Sequence, residues 1–147
     1  MSSGVDIRPA IALELDAARS WLADAGLPVA DLTADHMQNF LVAEAHGVPI
    51  GMIGLERFAD VGLLRSLVVD ASSRSAGTGA LLVAALEARA SELGVTELWL
   101  LTTDADRYFS RLAYEVIDRS DAADSIQNTK EFLSLCPGDA VLMRKQL

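Results

Sequence analysis

The sequence predicts an α/β (α+β) fold, a mixed central sheet of about seven strands with helices on both faces. Three observations carry this expectation. "FLVAEAHGVPIGMIGLERF" alternates as a hairpin does. A long alanine- and leucine-rich helix pattern then separates two strand patterns. In "VTELWLLT" the apolar residues run together, as in a central strand covered on both faces. The elements read β-α-α-β-β-β-α-β-α-β-β, and residues 1–147 are expected to form a single domain.

Taken in order, Val5 to Arg8 is a short strand ended by Pro9. Ile11 to Ala25 is an amphipathic helix with Leu15, Ala18, Trp21 and Leu22 on one face, stopped by Gly26. Val29 to Asp35 suggests a second short helix. The hairpin runs from Phe40 to Ala45, turns at His46-Gly47, and returns from Ile50 to Arg57. Gly51 and Gly54 in the return arm point to a bulge or a close backbone approach. Gly62 to Val69 is the next strand, and a helix follows from about Gly79 to Leu93, where Gly94 ends it. After "VTELWLLT", "DADRYFSRLAYE" reads as a short helix and "YEVIDRS" as a strand. A helical excursion over Asp121 to Leu135 precedes a last strand, "AVLMRKQL".

Hydrophobic residues make up 51% and charged residues 22%, a globular composition. No apolar run reaches bilayer length, and "MSSGVDIRPA" lacks the charged and apolar regions of a signal peptide. One cysteine, Cys136, cannot close an internal disulfide, so a cytoplasmic location is expected. The net charge of -9 argues against a nucleic-acid or anionic-membrane partner. It also means that any anionic ligand needs local donors.

"RSLVVDASSRSAGTGALL" supplies such donors. Glycines before a helix let a loop turn several amides towards one point, where the helix dipole also favours an anion. Arg74, Ser75, Ala76, Gly77, Thr78 and Gly79 would cradle a phosphate, with the Thr78 hydroxyl adding a donor and Arg74 closing over it. No Lys-Ser or Lys-Thr pair follows the glycines, so this is no Walker loop. A dinucleotide fingerprint would need a third glycine. A bare helix-start loop is the other reading of these residues.

The stretch resembles the Arg/Gln-x-x-Gly-x-Gly/Ala pyrophosphate loop of the GNAT N-acetyltransferases, which follows their fourth strand and opens their third helix. "ADRYFSRLAYE" resembles their later Ala-x-x-Phe-Tyr-x-x-x-Gly-Phe motif, with two departures. Phe109 stands at the tyrosine position, with Tyr108 one residue earlier, and Ala113 replaces the glycine. "LLRSLVV", "YFSRLAY" and "IQNTKEFLSLCPGDAVLMRKQL" are similar to the bacterial GNAT enzymes found with arsenic-resistance operons.

The resemblance implies a GNAT fold with strands four and five splayed, acetyl-CoA as co-substrate, and a small, amino-acid-like amine as acceptor. It leaves a homodimer open. Leu67, Val68 and Val69 would line the pantetheine arm, an amide there would hold the oxyanion, and Arg74 to Gly79 would hold the pyrophosphate. Direct transfer needs a neutral amine. Glu56, near the end of the third strand, is the leading base; a solvated strand-end glutamate is its alternative, and Glu131 is the second candidate. Tyr108 is the candidate acid for the departing thiolate. One helix residue rotates a side chain by about 100°, which would turn Tyr108 away and leave Phe109 lining the channel.

Arg65 and Ser66 precede the acetyl site. Strand alternation puts Arg65 on the face of Leu67 and Val69, where its guanidinium could take a substrate carboxylate, or else pair with Glu56 or Asp60. Cys136 alone is a poor arsenic site, and His36 and His46 lack the spacing or acidic neighbours of a metal pair, so no metal is expected. Two other activities fit the same resemblance. One is a non-catalytic CoA-binding sensor, favoured by Phe109; the other is acetylation of protein lysines or N-termini.

Overall fold

A computed structural model describes residues 4–27, 29–72, 77–129, 132 and 140–147. Among these, β1 (Val5–Pro9), β2 (Phe40–Ala45), β3 (Val48–Phe58), β4 (Val61–Val69), β5 (Glu97–Thr102), β6 (Glu115–Ile117) and β7 (Val141–Gln146) form one sheet, ordered β1-β2-β3-β4-β5-β7-β6. Every neighbouring pair is antiparallel except β4 and β5. The helices are α1 (Leu15–Asp24), α2 (Thr78–Glu92), α3 (Asp106–Arg111) and α4 (Asp124–Gln127). None is long and apolar enough to cross a membrane.

The two faces of the sheet are covered separately. Leu82, Val83, Leu86 and Ala90 of α2 pack with Leu41, Ile53, Leu55, Leu64, Leu98 and Leu100 on one face. Ala18 and Leu22 of α1 pack with Phe40, Val42, Met52 and Val68 on the other, and Ile126 of α4 joins Leu63, Trp99 and Leu142 there. The expected face of α1 holds: Ala18 and Leu22 are buried, while Leu15 and Trp21 pack at the margin. One turn of 3-10 helix, Ala12–Glu14, replaces the expected first turn.

The second short helix lies later than expected, as a 3-10 segment over Ala34–Asn39. The Thr33 amide donates to His36 Nδ1 at 3.1 Å, a reciprocal cap that starts the helix after Thr33 rather than at Val29. The residues before it are tied to α1 instead, where Arg19 donates to the Leu32 carbonyl. Gly54 has a close-approach role, since a methyl group there would overlap the Phe40 ring at 2.3 Å. Of the expected excursion over 121–135, α4 is helical, and residues 130, 131 and 133–135 lie outside the described residues.

Candidate active site

β4 and β5 pair only from Val61↔Glu97 to Leu63↔Trp99, then part. Just beyond the last pair, β4 carries a bulge. Arg65 opposes Gly54 and Val68 opposes Met52, so Ser66 and Leu67 together face the single residue Ile53. Ser66 accommodates this at φ 61, a left-handed backbone for a non-glycine residue. Between the diverging strands lies a cleft of about 150 Å³, lined by Arg65, Ser66 and Leu67 of β4, Leu100 and Thr102 of β5, and Tyr108 of α3.

The bulge reverses the expected facing of Arg65. One extra residue shifts a two-residue period by half, so Arg65 shares a face with Val68 and not with Leu67 and Val69. Leu67 and Val69 pack towards the α2 side, whereas Val68 enters the cluster beneath α1. Nor does the Arg65 fork wait for a substrate carboxylate. Nη1 and Nη2 donate to Asp31 Oδ2 and Oδ1 at 2.6 and 2.9 Å, Nη1 also donates to Glu56 Oε1, and Nε donates to Ser66 Oγ at 3.1 Å. The side chain is wholly buried. Burial pushes the Asp31 carboxyl up, but the hydrogen bonds and charge of Arg65 outweigh it and hold Asp31 below the usual range. Sequence reasoning missed Asp31: it sits 34 residues from Arg65 in a segment without strong periodicity.

Glu56 takes its place in this network. Its Oε1 accepts from Arg65, and the residue lines a shallow groove of about 210 Å³ beside His36 that shares no lining residue with the cleft. His36 Nε2 lies 3.9 Å from Glu56 Oε1, so the fold brings to His36 a carboxylate 20 residues away in the chain. Asp31, His36 and Glu56 could converge on a metal. The Arg65 guanidinium, bonded to both carboxylates, already fills the cationic role there.

The start of α2 forms a second cleft, of about 450 Å³, lined by Leu67, Val69, Gly77, Gly79, Ala80 and Tyr108. Gly77 caps the helix at φ 78, and its carbonyl accepts from the Leu81 amide at 3.1 Å. Thr78 corrects an expectation: it is fully buried, with an unpartnered Oγ1, so its hydroxyl does not face a ligand. Arg74, Ser75, Ala76, Glu131 and Cys136 lie outside the described residues.

In α3 the two aromatics divide the work the other way round from expectation. Phe109, 5% exposed, anchors the helix in the core, edge-on to Tyr114. The one-residue rotation therefore aims Tyr108 into the clefts rather than away, and it lines both of them. Phe109 touches only the smaller cleft. Burial pushes the Tyr108 phenol up, further from its anionic form. Ala113, at the position of the resembled glycine, has φ 74, the left-handed backbone that a glycine would adopt without strain.

A profile of the acetyltransferase (GNAT) family matches residues 10–116, most of the described sheet and both clefts. The chain belongs to the GNAT acetyltransferase family. A Chlorobaculum tepidum protein, the uncharacterized N-acetyltransferase CT2212, is 35% identical over 86 residues, which cover 58% of this chain and 55% of the relative. Among solved structures, N-acetylglutamate synthase from Neisseria gonorrhoeae, complexed with coenzyme A and N-acetyl-glutamate, superposes with a TM-score of 0.86. It is 18% identical and covers all of this chain but 36% of the synthase. Rv2747 from Mycobacterium tuberculosis, in complex with CoA and NLQ, gives 0.81 at 20% identity, covering 97% of this chain and 99% of that one. At such identities the shared property is the GNAT fold. The chain thus spans about half the length of its curated relative and about a third of the synthase.

Proposed function

We propose that this chain is an acetyl-CoA-dependent N-acetyltransferase that passes the acetyl group directly to a small amine. The observation that carries the reading is the meeting of the two clefts at Tyr108: the strand splay and the glycine-lined helix start share one wall. CoA binding in GNAT structures of the same fold supports it. The amides of Gly77, Thr78 and Gly79 would hold the pyrophosphate, and the backbone of Leu67 and Val69 the pantetheine arm. An amide at the bulge would face the developing oxyanion, and Tyr108 would protonate the departing thiolate. Glu56 would draw the amine proton through a water path, because it is bonded to Arg65 and does not itself line the cleft.

An amino-acid-like acceptor is supported by the N-acetyl-glutamate bound in the gonococcal synthase. It no longer draws support from Arg65, whose fork is engaged. The link to arsenic resistance rests on the resemblance of the segment from Ile126 to Leu147, and arsenic-resistance genes beside this one would support it. A CoA-binding sensor is favoured by the burial of Phe109 at the resembled tyrosine position. Free-thiol release from acetyl-CoA across a panel of amines, measured beside CoA binding, separates the two. Amine-dependent release is expected, and tight CoA binding with no release for any amine would establish the sensor instead.

Gly77→Asp tests the phosphate assignment. No atom lies within 4 Å of the place a side chain would start, and aspartate both tolerates positive φ and caps helices, so the fold should persist. The new carboxylate would face the pyrophosphate. The dissociation constant for CoA, measured by calorimetry, should rise at least about tenfold, or about 1.4 kcal/mol. Unchanged affinity would remove the phosphate from this loop.

A further inference from the structure

The two glycines at the start of α2 are there for different reasons. Gly77 needs its backbone angle and has open space around it. Gly79 has ordinary helical geometry, yet a methyl group on it would sit 2.5 Å from Tyr108 Oη, well inside van der Waals contact. The next atoms, Tyr108 Cζ at 3.4 Å and Val69 Cγ2 at 3.8 Å, are at normal distances. The conflict is therefore with the phenol oxygen alone. Inside a helix glycine is less favourable than alanine, and α2 otherwise uses alanine freely, at Ala80, Ala84, Ala85, Ala88 and Ala90.

We propose that Gly79 is a positioning residue for Tyr108: its missing side chain lets the phenol lie across the first turn of α2, between the two clefts. The catalytic consequence rests on the reading of Tyr108 as the acid, while the packing does not. Phe109 holds α3 in the core, and this fixes where the Tyr108 ring starts. Where Tyr108 lines the shared wall, its phenol crosses α2 at the position that has no side chain. A tyrosine one residue early is thereby brought to the acetyl site.

The test is a cycle of wild type, Gly79→Ala, Tyr108→Phe and the double variant, followed by thermal midpoint, CoA affinity and kcat. Alanine at 79 should lower the midpoint when Tyr108 is present. It should raise the midpoint when Phe stands at 108, because the clash is gone and the helix gains. In kcat, Gly79→Ala should fall by a factor similar to that of Tyr108→Phe, about 10- to 100-fold. The double variant should fall no further than about threefold below the weaker single variant, because both changes remove one function. CoA affinity should change by less than about threefold throughout. A midpoint shift of the same sign in both backgrounds overturns the packing inference. So does a loss of CoA affinity by Gly79→Ala that persists with Phe at 108: alanine keeps the amide offered to the pyrophosphate, so such a loss would trace the need for a bare Cα to the ligand and not to Tyr108. If Tyr108→Phe keeps full kcat, the acid reading fails, and the thermal cycle still decides the role of Gly79.

Discussion

Arg65→Ala is expected to destabilise the fold by about 3–5 kcal/mol, because it leaves Asp31 and Glu56 as buried or half-buried carboxylates without their shared cation. The loss would be read as a lower denaturant midpoint. Arg65→Lys keeps the charge but cannot hold both Asp31 oxygens, and it should fall between wild type and alanine in stability. A lysine variant as stable as wild type, with a raised KM for the amine alone, would return Arg65 to substrate binding. The pair also sets an acid limb. Asp31 titrates lower folded than unfolded, so its stabilisation is complete above about pH 4 and is lost as the pH falls through its folded value. Asp31→Asn should flatten that limb, at a cost in stability at neutral pH.

Tyr108→Phe is expected to lower kcat by about 10- to 100-fold, the usual contribution of a general acid or base. The ring stays in the wall of both clefts, so affinity for acetyl-CoA should hardly move. A phenol carries its proton at neutral pH, the state a thiolate needs in order to be quenched, and burial favours that neutral form further. Full kcat in the variant would hand the proton transfer to water. Loss of acetyl-CoA binding with unchanged kcat would make Tyr108 a wall residue only.

Much of the fold was legible because its signals are local. Alternation and the His46-Gly47 turn place β2 and β3, the alanine-rich periodicity and Gly94 place α2, and the unbroken apolar run places β5. Gly77 marks the start of α2, and the tyrosine-phenylalanine pair marks α3. All of these depend on residues within a few positions of one another.

The side-chain directions that make the site were not legible. A single extra residue in β4 reverses the face of Arg65, and whether a strand bulges depends on its pairing with β3. Asp31 meets Arg65 only because the segment after α1 folds back over the sheet. Tyr108 faces the clefts because Phe109 wins the core, a competition decided by packing against Tyr114 and α2. Sequence determined which elements form and in what order, since hydrophobic period and turn chemistry act over one or two turns of chain. Tertiary structure alone decided which side chains meet, since register, parity and burial are properties of paired elements that no single segment carries.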